Sequence, residues 1–86
     1  MSSIQDDLKL EGTNCTYYEN LLTSHSSNNI YIIVPLPMGS MLIMRKSNNT
    51  IESIILDNDN MGQYGNNSDL IRYNNFTNNY TEIKKN

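Results

Sequence analysis

The chain has 86 residues, a net charge of −3, 37% hydrophobic residues and one cysteine. The single cysteine excludes an intrachain disulfide, and the acidic balance argues against nonspecific nucleic-acid binding, which needs Lys and Arg to neutralise phosphates. No apolar run approaches the 18 or so residues that span a bilayer, and a core this small favours self-association, so a homo-oligomer is expected.

Fifteen residues are Asn, many in pairs such as Asn28-Asn29, Asn48-Asn49 and Asn78-Asn79. Asn bonds its own backbone and tolerates left-handed conformations, so the pairs mark where the chain bends. With ten Ile and six Tyr, this usage fits an AT-rich genome. Five matches to the N-glycosylation pattern, at Asn14, Asn48, Asn66, Asn75 and Asn79, are read as a consequence of that composition.

In chain order, Ser3 to Gly12 reads as a short helix or frayed arm, with Ser3 as N-cap and Gly12 as stop. It carries acids where a signal peptide needs a basic and then an apolar region, so a cytoplasmic location is expected. Thr13 or Asn14 caps a helical segment in which Tyr17, Tyr18, Leu21 and Leu22 share one face. Ser24 to Asn29 is a polar loop.

Ile30 to Val34 is the clearest strand, β-branched and aromatic throughout and bounded by Asn29 and Pro35. Pro35 to Ser40 connects it to a second strand, Met41 to Lys46, and Ser47-Asn48-Asn49 turns into a third, Thr50 to Leu56. Alternation in the third puts Ile51, Ser53 and Ile55 on one side and Glu52, Ile54 and Leu56 on the other. Both sides are apolar, so the sheet needs cover on each: the N-terminal helix on one, a second sheet layer or a partner chain on the other. Asp57 to Asn67 is a loop, and Leu70 to Tyr73 reads as an edge strand or one helical turn. From Asn74 the chain is polar, so residues 74–86 are either a docked last element or a flexible tail. The expected fold is a single small α+β domain over residues 1–86. It has an antiparallel sheet of three to five strands, a meander over residues 30–56 and a short N-terminal helical segment; all-β is the alternative.

Candidate chemistry is sparse. Asp57-Asn58-Asp59-Asn60-Met61-Gly62 resembles the start of an EF-hand calcium loop, but position 5 is Met61 and position 12 is Ser68, so no metal site is assigned. Cys15 and His25 are too far apart along one helix, about 15 Å, to act as nucleophile and base. Two residues of Cys or His type are too few for structural zinc. No phosphate-binding Gly-rich loop is present, and no cofactor is expected.

Two interaction signals remain. Pro35, Leu36, Pro37, Met38 and Met41 form an apolar, conformationally restricted loop, either folded onto the core or presented to a partner. Asp57 and Asp59, with Asp6, Asp7, Glu11 and Glu19, form an acidic body able to mimic phosphates before a basic partner. These features lead us to expect a non-enzymatic binding protein, a small inhibitor or accessory protein of a virus, phage or mobile element that acts on a partner protein. The alternative is an oligomeric binder of a nucleotide or metabolite, with Tyr and Asn lining pockets at subunit boundaries.

Overall fold

The structure, a computed structural model, describes residues 12–57 and 67–84. The expected Ser3–Gly12 arm lies outside them except for Gly12, as do Asp59 and most of the calcium-like loop. The first element is α1, Cys15–Ser24. Asn14 caps it, its side-chain Oδ1 accepting a hydrogen bond from the Tyr17 backbone N–H at 2.9 Å. A cap of this kind is worth about 1 kcal/mol. Leu22 and Cys15 are buried and Tyr18 and Leu21 pack at the core edge, whereas Tyr17 turns outward and departs from the expected face.

Three strands follow as expected: β1 (Ile30–Pro35), β2 (Met41–Ser47) and β3 (Thr50–Leu56). They form an antiparallel meander in which Ile32 faces Met44 and Met44 faces Ser53. This register sends Ile32, Val34, Leu42 and Met44 to one face and Tyr31, Ile43 and Leu56 to the other. Each fully buried aliphatic stabilises the fold by about 1.5–3 kcal/mol, so the two thin layers together make the core.

Beyond β3, the Leu70–Tyr73 segment belongs to a helix of 11 residues, α2 (Asn67–Thr77), rather than to an edge strand or single turn. Tyr73 and Phe76 on this helix, with Tyr80 after it, pack on the Tyr31–Ile43–Leu56 face. The chain itself thus supplies the cover assigned above to a second sheet layer or partner chain. A two-residue strand, β4 (Thr81–Glu82), then pairs with β1 in parallel, giving the order β3-β2-β1-β4. Thr81 donates its N–H to the Asn29 carbonyl at 2.9 Å and Ile83 donates to Tyr31 at 2.8 Å. The domain is therefore α+β, with a helix on each face of a mostly antiparallel sheet.

Two cations fasten the helices. Lys46, only 6% exposed, lies one residue before the end of β2 on the α1 face and donates from Nζ to the carbonyls of Thr23 and His25. It thereby satisfies carbonyls at the C-terminal end of α1, where a positive charge also suits the helix dipole. On the opposite face, the Arg45 guanidinium lies 4.2 Å from the Phe76 ring centroid and 4.6 Å from that of Tyr80.

Candidate functional site

Two hairpin turns join the meander, and they solve one backbone problem with different residues. A two-residue hairpin turn of type I′ requires positive φ at both central positions, where Asn and Gly are favoured. Between β2 and β3 these positions are Asn48 (φ 51°) and Asn49 (φ 67°), as the composition predicts. The β1–β2 connection is longer, five residues with a 3-10 turn over Pro37–Gly39, and there the consecutive positive-φ residues are Met38 (φ 64°) and Gly39 (φ 79°). Among the described non-glycine residues with positive φ, the others are all Asn: Asn29, Asn48, Asn49 and Asn79. Met38 alone adopts this conformation without a side chain suited to it, at a cost of about 1–2 kcal/mol.

The Met38 side chain offsets none of that cost through packing, since the residue is 95% exposed. Its neighbours, in contrast, are anchored. Leu36 is buried in the α1-side core, Ser40 is buried, and the Leu36 N–H donates to the Ser40 carbonyl at 2.9 Å, closing the loop beneath the tip. A backbone outlier retained in a fixed, exposed position points to function more than to stability.

The expected interaction residues divide accordingly. Pro35, Pro37 and Met38 are exposed; Leu36 belongs to the core and Met41 is half-buried against the α2-side cluster. Leu36 is therefore corrected from a contact residue to an anchor, because the pleat of β1 continues through Pro35 and turns it inward. Asp57 is half-buried just after β3, and of the remaining acids in the expected phosphate-mimicking set only Glu19 lies among the described residues.

The helices carry further exposed apolar side chains. The carbonyls of Thr23 and His25 bind Lys46, whose strand partner is Ile30, so α1 ends near the start of β1, and Cys15 at its other end joins the α1-side cluster. Similarly, Arg72 donates to the Ile55 carbonyl while Phe76 and Tyr80 lie over Arg45, so α2 begins beside the end of β3. Alongside Met38, α2 exposes Leu70 and Ile71 near its start, 41% and 57%, and α1 on the opposite face exposes Tyr17, 56%. These are the large exposed hydrophobic residues among those described.

Elsewhere the chemistry is quiet. Cys15 and His25 sit at opposite ends of α1, and burial, with the Glu19 carboxylate adding to it, pushes the Cys15 thiol above its ordinary range. A thiol held protonated is a poor nucleophile. Among the described residues, no three His, Cys, Asp or Glu side chains are grouped to hold a metal ion, and no helix is long and apolar enough to cross a membrane. No family model matches the chain, and neither does any curated protein or solved structure.

Proposed function

We propose that the protein is a non-catalytic binding protein that docks on a partner protein through the end of the sheet crowned by Met38. The observation that carries this reading is the exposed Met38 held in a left-handed conformation by the buried Leu36 and Ser40. A pre-ordered apolar tip loses little entropy on binding, and methionine adapts to an irregular apolar recess. The proposed surface extends to Ile71 near the start of α2, a helix that begins beside the end of β3. Small size and AT-rich residue usage suit an inhibitor or accessory protein of a virus, phage or mobile element, working in the cytoplasm.

The test is affinity retention from the source-cell extract by immobilised wild-type protein, Met38→Gly, Ile71→Asn and, as a control at the opposite hairpin, Asn49→Gly. The expected result is one saturably retained protein, held equally by wild type and control and at least about tenfold less by the two end variants. Equal retention by all four proteins refutes the assignment of this end as the docking surface.

A further inference from the structure

On the α2 face of the sheet, a cleft of about 270 Å³ opens between α2 and strands β2 and β3, lined by Arg45, Ile54, Arg72, Asn75 and Phe76. Arg45 and Arg72 are the two arginines of an acidic chain, and both line this cleft. We propose that it binds a small oxyanion, carboxylate or phosphate, between the two guanidinium groups. The cleft shares α2 with the proposed docking surface, Arg72 following Ile71, but anion binding in it does not depend on docking.

Both forks are fixed before any ligand arrives. Arg45 Nε donates to Glu52 Oε1 at 2.9 Å and Nη1 to the Phe76 carbonyl at 2.6 Å, while the Phe76 and Tyr80 rings flank the guanidinium. Arg72 Nη1 donates to Asp69 Oδ1 at 3.1 Å and Nη2 to the Ile55 carbonyl at 2.9 Å. A guanidinium has five N–H donors, and these bonds use two on each, so both retain donors for an oxyanion. Planar forks of this kind match carboxylate and phosphate geometry, and two held in place present it with little ordering cost. The Asn75 side chain adds an amide beside them, and Ile54 with Phe76 supplies an apolar wall.

Glu52 and Asp69 set the selectivity. They neutralise the two arginines, so long-range attraction is weak and only an anion small enough to reach the remaining N–H groups gains from the site. The volume falls below the roughly 300 Å³ at which pockets for drug-sized ligands begin, in keeping with a small ligand.

The test uses the full chain with isotope-labelled arginine side chains and backbone, titrated by nuclear magnetic resonance with inorganic phosphate and separately with acetate, at ionic strength held constant with chloride. The expected result is saturable movement of the Arg45 and Arg72 Nε–H signals and of the Ile54 and Asn75 amides. A response to phosphate alone assigns a phosphoryl ligand, and one to acetate alone a carboxylate. Arg72→Gln weakens the response at least about tenfold. Asn75→Asp, an isosteric change at an exposed position, places a carboxylate in the cleft and abolishes the response while leaving the rest of the spectrum in place. Signals that stay still, that move linearly without saturation, or that respond equally in Asn75→Asp overturn the proposal.

Discussion

Replacing Met38 with glycine tests the reading of the hairpin tip without reference to any partner. The left-handed conformation costs a residue with a Cβ about 1–2 kcal/mol, and glycine removes that cost. Against this, glycine gives the unfolded chain more freedom, worth roughly 0.5–1 kcal/mol. No packing is lost, because the side chain is 95% exposed. Taking the middle of each range, the balance is a net gain of about 0.75 kcal/mol, which for a domain of this size raises Tm by roughly 3–6 °C. Thermal unfolding of Met38→Gly beside wild type measures it, with Asn48→Gly at the other hairpin as the internal comparison. Asparagine already tolerates its φ of 51°, so that change should move Tm far less. A Met38→Gly protein with an unchanged or lowered Tm refutes the argument, since Met38 would then contribute native contacts or sit without strain. The same substitution should weaken partner binding, and gain in stability with loss of binding is a pairing that general damage to the fold does not produce.

Lys46→Met keeps the buried stem but removes the donor at the end of α1, and should cost about 1.5–3 kcal/mol in urea unfolding; a cost under about 0.5 kcal/mol contradicts the capping role. Asn48→Val puts a β-branched residue in the left-handed region and should lower stability by about 1–2 kcal/mol, visible as a lower urea midpoint. Thr81→Pro deletes the N–H that bonds Asn29 and should speed hydrogen exchange at Ile83 well before the β2–β3 amides are affected. For Cys15, burial and Glu19 raise the folded thiol above its ordinary 9.0, so the folded state holds its proton longer than the unfolded state. Stability should therefore be level below about pH 8 and fall as pH rises through 9 toward the folded value, and Cys15→Ser should flatten that fall. An identical pH dependence in the variant excludes Cys15 as its source.

The meander was legible because its signals agree: β-branched runs at Ile30–Val34 and Thr50–Leu56, and an Asn-Asn pair where a two-residue turn needs positive φ. The α2 helix was not. Asn74, Asn75 and Thr77 are weak helix formers, and Tyr73, Phe76 and Tyr80 acquire value only against the second sheet face, so packing overrides local preference there. The Pro35–Met41 loop was legible as unusual but not as divided. Which of its apolar residues points inward depends on the pleat carried over from β1, and that puts Leu36 in and leaves Met38 out. The exposure of Tyr17, Leu70 and Ile71 depends on the rotation of two helices against the sheet, which no local pattern specifies. Nor could the pairing of Arg45 with Arg72 across a cleft be seen in residues so far apart in the chain.

The strand order also dictates a sequence of events during synthesis. β1, β2 and β3 join through short hairpins and can assemble as soon as they emerge, whereas β4 pairs with β1 only after α2 has crossed from β3 over the sheet. Until then the Tyr31–Ile43–Leu56 face and the outer edge of β1 are open together, the state in which a nascent sheet is most prone to pair with a neighbouring chain. Translation slowed before Asn67 lengthens that exposure, and translation slowed after Glu82 does not. The hazard of this small domain is thus a matter of timing, concentrated in the interval between the third strand and the fourth.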